Sequence, residues 1–252
     1  MRRAHELLEQ PTAGRPTGLA ELDRRLGGGL PAGAVVELTG PLSSGKTSLA
    51  WRIVAETARR GELVAYIDPY GTLDGESAQA AGVLLDRLLW IHWPVVPDAA
   101  DSAPSAPGQA ASSDAPAVLE RALKCADVAA RSGVFALVVL DLQPPPEQRP
   151  RQWPPAVWFR LQRAVQGTET TLLVLSPVRL AGSAARLALT LQRRESWWRH
   201  GASRHSSPRF EPEADSPPEI PAPPGNRLQG WEARASVWKG SHRDVVPIHC
   251  RF

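Results

Sequence analysis

The chain has 252 residues, 42% of them hydrophobic, which is enough for one α/β domain with a substantial core and with material left over. A net charge of +3 and a pI of about 9.2 give a mildly basic balance that does not by itself imply nucleic acid. Cys125 and Cys250 are too few for a disulfide framework and no C-x-x-C pair suggests zinc, no apolar run approaches a membrane span, and Met1–Glu6 lacks the apolar core of a signal peptide, so a cytoplasmic protein is expected.

Taken in order, residues 1–16 predict a short helix from Ala4 to Gln10 and then a polar tether, with Pro11 and Pro16 ending regular structure. The core is expected from residue 17 to 252. Leu19, Leu22 and Leu26 fall at helical spacing before the stop at Gly27-Gly28-Gly29. Ala34–Leu38 is a short apolar run that suits a buried strand, and Thr47–Ala58 has apolar residues at helical spacing. Leu63–Asp68 predicts a second strand, Ser77–Leu85 a short helix and Arg87–Trp93 a third strand. Residues 94–117 carry five prolines among Ala, Ser, Asp and Gly, and read as a flexible insertion. A helix over Ala117–Ser132, with Leu119, Leu123 and Val128 inward, leads to the strand Phe135–Asp141. A Pro-rich loop over 143–155 and a helix over Ala156–Val165 follow, then strands at Thr171–Leu175 and Leu187–Leu191. Residues 195–228 form a second irregular insertion. The strands Glu232–Lys239 and Pro247–Phe252 close the chain, the last at a sheet edge because proline cannot donate to a ladder.

Between the first strand and the second helix stands Gly40-Pro41-Leu42-Ser43-Ser44-Gly45-Lys46-Thr47, followed by Ser48. This is G-x-x-x-x-G-K-T, the phosphate-binding P-loop, with strand and helix on the sides the chemistry requires. Backbone N–H groups and the positive end of the helix hold anionic phosphates, Lys46 adds a point charge, and the Thr47 hydroxyl is placed to ligate Mg²⁺. Lysine is scarce here: Lys46, Lys124 and Lys239 stand among many arginines, and the wide guanidinium fork does not replace a compact ammonium in a phosphate cradle. The run Phe135–Asp141 has the form of a Walker B strand, which makes Asp141 a candidate to support Mg²⁺ through water. Hydrolysis also needs a group that positions water. Asp68 is a weak candidate, since Pro69-Tyr70-Gly71 offers no base, and Ser176-Pro177 ends the fifth strand without a donor on Pro177. Arg193, Arg194, Arg199 and Arg204 lie near Trp197-Trp198 and make a candidate single-strand DNA track, a protein-binding anchor or a merely solvated loop.

From Thr17 to Asp74 the chain resembles the bacterial RecA family. Thr17-Gly18, Leu22-Asp23, Gly29-Leu30-Pro31, Val36-Glu37, Gly40-Pro41, Ser43–Leu49, Ile67-Asp68 and Leu73-Asp74 carry the likeness. The resemblance implies a RecA-like P-loop core: an α/β fold with a mostly parallel sheet flanked by helices and antiparallel C-terminal strands. It implies ATP with Mg²⁺, self-association, and Lys239 reaching a neighbouring subunit's γ-phosphate. It also marks departures. The family's water-activating glutamate falls at Tyr70, its adenine-stacking aromatic at Ser77, and its γ-phosphate-sensing glutamine at Pro177. The shortened profile resembles the ImuA-type accessory proteins of SOS mutagenesis cassettes, which implies RecA and a Y-family-like polymerase subunit as partners. Three functions stay open at this point: an ATP-binding accessory factor of DNA repair or translesion synthesis with little turnover, a working DNA-dependent ATPase, and a nucleotide-independent scaffold.

Overall fold

The structure is a computed structural model that describes residues 14–93, 115–144, 153–199, 227–239 and 242–251. The strands are β1 (Ala34–Thr39), β2 (Val64–Asp68), β3 (Leu88–His92), β4 (Leu137–Asp141), β5 (Thr171–Ser176), β6 (Ala185–Arg199), β7 (Arg227–Lys239) and β8 (His242–Arg251). They form one eight-stranded sheet in the order β3-β2-β4-β5-β1-β6-β7-β8. The pairings from β3 to β6 are parallel, and β6-β7-β8 are antiparallel. The α/β class, the mostly parallel sheet and the antiparallel C-terminal strands are as expected from the sequence. The short apolar runs become β1, β2, β4 and β5 because strands covered on both faces bury every residue. Pro247 lies in the outermost strand opposite Arg234, where its missing N–H disrupts no further ladder.

The helices are α1 (Ala20–Leu26), α2 (Lys46–Arg59), α3 (Gly75–Ala80), α4 (Ala115–Arg131) and α5 (Pro155–Val165). They sort onto two faces, each closing its own core. Leu49, Ile53 and Val54 of α2 pack with Val36, Leu38 and Tyr66, and this core runs on into Ala233, Ala235, Val246 and Ile248 of the last two strands. On the other face Leu119, Ala122, Leu123 and Ala126 of α4 join Trp158 and Leu161 of α5 over Val35, Ile67, Leu140 and Val174.

Several local expectations change. Val128 is 69% exposed, because the inward stripe of α4 runs instead through Leu119, Ala122, Leu123, Ala126, Ala129 and Ala130. The helix expected over Ser77–Leu85 ends at Ala80, where Gly82, at φ +89°, turns the chain. Irregular structure was expected from residue 195, yet β6 continues to Arg199 opposite Arg227, since each long strand satisfies the other's ladder. The tether's last residues belong to the core. Arg15 exchanges two backbone hydrogen bonds of 2.7 Å with Leu30 and pairs with Glu62 at 2.6 Å. Gly29 permits this, because a Cβ there would sit 2.1 Å from the Arg15 carbonyl oxygen. The helix expected at Ala4–Gln10 and most of the two insertions lie outside the described residues.

Candidate phosphate-binding site

Gly40–Gly45 leaves the C-terminal end of β1, near the centre of the sheet, and Lys46 opens α2. Ligands of open α/β sheets sit beyond the carboxyl ends of the strands, which is where this loop stands. A Cβ on Gly40 would lie 2.5 Å from the Leu191 carbonyl oxygen of β6, so only glycine lets the loop cross that strand. Gly45 is left-handed at φ +90° and Ser43 at φ +59°, which curls the backbone between them. The curl exposes Pro41 and Ser43, leaves Ser48 half-buried, and buries Ser44 and Lys46. The Lys46 ammonium donates to the Pro41 carbonyl at 3.1 Å, spanning the loop from inside. The buried Ser44 Oγ has no hydrogen-bond partner, a polar atom left open in the wall of a cradle.

Asp141 ends β4, which β5 separates from β1. Its Oδ2 accepts from the Tyr66 hydroxyl at 2.6 Å and from the Gln143 side-chain amide at 3.3 Å, and its Oδ1 accepts from the Gln143 backbone N–H at 3.1 Å. The same Gln143 amide nitrogen lies 3.5 Å from Thr47 Oγ1. Burial pushes the Asp141 carboxyl up to about 6, with the bonds from Tyr66 and Gln143 pulling the other way. Burial pushes the Lys46 ammonium down, opposed by the Asp141 charge, and pushes the Tyr66 phenol up. Trp51 of α2 stacks on Tyr66 with ring centres 5.2 Å apart, so the P-loop helix and Asp141 share one rigid support.

The structure therefore brings Gly40, Pro41, Ser43, Ser44, Gly45, Lys46, Thr47, Ser48 and Asp141 to one end of the sheet. It places the other sequence candidates elsewhere or in other company. The two Asp68 oxygens accept from Thr72 N at 3.0 Å and Leu73 N at 2.8 Å, so this carboxylate ties down the turn after β2. Lys239 donates to the Leu26 carbonyl at 3.1 Å, capping the C-terminal end of α1 within its own chain. Arg193 and Arg194 are exposed on β6, where a bulge breaks the in–out alternation. The side chain of Arg199, and Arg204 altogether, lie outside the described residues.

Two residues of the site were missed in the sequence. Gln143 lies two positions past the Walker B aspartate and is a polar side chain in a Pro-rich loop. Glu37 is a charged residue inside an apolar strand. It is fully buried, accepts from the Leu180 and Ala181 N–H groups at 2.6 and 2.7 Å, and pairs with Arg179 at 3.6 Å. It thereby fixes the connection between β5 and β6 beside the P-loop strand.

The cradle fits a phosphate chain, given the curled backbone, the open Ser44 hydroxyl and the buried Lys46 charge. Among the described residues, no group of three or more His, Cys, Asp or Glu side chains makes a metal cage. A divalent ion here would rest on Thr47, on Asp141 through water, and on the oxygens of the phosphates themselves.

Residues 5–103 match the family model described as the RecA N-terminal domain. The chain is 39% identical over 140 residues to Protein RecA of Mycobacteroides abscessus and to that of Rubrobacter xylanophilus, covering 55% of this chain and 34% of each relative. It is 40% identical over 132 residues to Protein RecA of Clavibacter michiganensis, covering 52% of this chain and 30% of the relative. The chain thus spans about a third of the length of the curated relatives it matches. A crystal structure of the RadB recombinase shares the fold at a TM-score of 0.55 and 18% identity, over 94% of this chain and 95% of that one. Among the described residues, no helix is long and apolar enough to cross a membrane. A RecA-type N-terminal region, a P-loop at the head of the sheet and a mostly parallel sheet closed by antiparallel C-terminal strands together give this chain a RecA-like α/β fold.

Proposed function

We propose that this chain is a cytoplasmic ATP-binding accessory protein of the DNA-damage response, active in repair or mutagenic translesion synthesis, with weak or no ATP hydrolysis. One observation carries the reading. The cradle residues stand together, while the positions that resemblance assigns to water activation and γ-phosphate sensing hold Tyr70 and Pro177. Lys46, Ser44 and the loop N–H groups would hold the phosphates, and Thr47 and Asp141 would hold Mg²⁺. Bound ATP supplies a γ-phosphate whose presence or loss distinguishes two states of the site. Asp68 is a poor substitute base, because both its oxygens already accept backbone N–H groups. The proposed partners are further copies of the chain, RecA and a Y-family-like polymerase subunit, as the resemblance to ImuA-type proteins suggests. Arg193 and Arg194, with Arg199 and Arg204 beyond them, are the proposed contacts to single-stranded DNA, and exposure of the first two on β6 supports their part.

The test is to measure Mg²⁺-dependent binding of a fluorescent ATP analogue beside turnover with and without single-stranded DNA. Binding with turnover at the level of a Lys46→Ala control is expected. DNA-stimulated hydrolysis that Lys46→Ala abolishes overturns the low-turnover reading in favour of a DNA-dependent ATPase. Failure to bind ATP or ADP at millimolar concentration leaves only a scaffold.

A further inference from the structure

The Gln143 side-chain nitrogen stands between two oxygens from different parts of the fold: Thr47 Oγ1 at 3.5 Å and Asp141 Oδ2 at 3.3 Å. One belongs to the P-loop helix and the other to the end of β4. They are also the two oxygens that a Mg²⁺ ion and its water shell would link. A carboxamide NH₂ is electropositive and offers two donors, one for each oxygen. It therefore does weakly, and without a full charge, what the cation would do strongly.

We propose that Gln143 is a positioning residue that stands in for the metal, cross-linking Thr47 and Asp141 until Mg²⁺ with nucleotide displaces its amide. The proposal rests on the reading of this site as an ATP–Mg²⁺ site. Its geometry ties the buried Asp141 carboxylate and the hydroxyl of the exposed Thr47 to one amide group. The Gln143 backbone N–H bond to Asp141 Oδ1 does not compete, so the residue keeps its hold on the carboxylate when its side chain swings away. Metal entry must break the amide contacts, so Gln143 raises the Mg²⁺ concentration at which nucleotide is held.

The test compares wild type with Gln143→Met, which keeps the length and volume but has no donor, and with Gln143→Ala. Binding of N-methylanthraniloyl-ATP is titrated at increasing Mg²⁺ and again in EDTA. Thermal unfolding of each variant without nucleotide reports folding. Loss of competing hydrogen bonds of ordinary strength should lower the half-saturating Mg²⁺ concentration by about three- to tenfold in both variants. Affinity in EDTA should stay within about twofold of wild type, because Gln143 touches none of the phosphate-cradling groups other than Thr47. A merely structural role would weaken binding equally in both media, and that result overturns the proposal. An unchanged or higher Mg²⁺ requirement in a folded Gln143→Met protein overturns it as well. If wild type holds no nucleotide with or without Mg²⁺, the ATP reading itself fails and this one with it.

Discussion

Lys46 and Asp141 sit in the same dry region, and burial moves their proton affinities in opposite directions. On the proposed reading, Lys46 is kept for binding rather than for folding. Its charge is desolvated against one carbonyl contact, so Lys46→Met should abolish binding of the fluorescent nucleotide while leaving the melting temperature unchanged or higher. For Asp141 the sign runs with acid. A carboxyl whose folded value is raised from 3.8 to about 6 adds stability that is fully present below pH 4 and is lost as the pH rises through 6. In urea titrations without Mg²⁺ or nucleotide, the stability of wild type minus that of Asp141→Asn should fall by about 2 kcal/mol between pH 4.5 and 7.5. A flat difference would show that the carboxylate is solvated. The cradle was legible in the sequence because a P-loop is a local backbone motif: glycines where the chain curls, and a lysine and a hydroxyl at a helix start. Gln143 was not, because its meaning depends on β4 and β1 lying two strands apart with a fixed register.

At the scale of elements, two polar links, one buried and one at the surface, join segments far apart in sequence. Glu37 is charged in a strand whose other members are apolar or hydroxylic, and its partners come from the turn after β5. Glu37→Gln replaces a buried acceptor with an NH₂ group facing N–H donors and Arg179, and should cost about 1–3 kcal/mol in urea unfolding. Lys239, which resemblance assigns to a neighbour's γ-phosphate, instead caps α1 in its own chain. Lys239→Ala should lower stability by about 0.3–1 kcal/mol and leave nucleotide affinity of the isolated chain unchanged. An affinity loss without a stability loss would favour the role in trans. The charge in β1 was visible in the sequence, but the segment it holds was not. Such pairings are set by tertiary contact, which periodicity does not encode.

Across the whole molecule, the last two strands finish the core rather than decorate it. Ala233, Ala235, Val237, Val246 and Ile248 belong to the same buried cluster as α2. A chain ending at Arg199 would expose that surface and the full hydrogen-bonding edge of β6. It should be insoluble or unfold without a cooperative transition, and a sharp calorimetric peak from it would refute this. The strand runs themselves were readable from composition, and the edge position of the last strand from Pro247. The reach of β6 and β7 was not, since residues 195–199 read as the start of an irregular insertion until they are paired with β7.

The hydrogen bonds on Asp141 limit what this residue can do for a cation. An ionised carboxylate has about four lone-pair sites. Tyr66 and the Gln143 amide fill the two on Oδ2, and the Gln143 backbone N–H takes one on Oδ1. By this count one acceptor position is left for a further donor. On the proposed reading, withdrawal of the amide would free a second acceptor position, so Asp141 could hold more water toward a cation in one state than in the other.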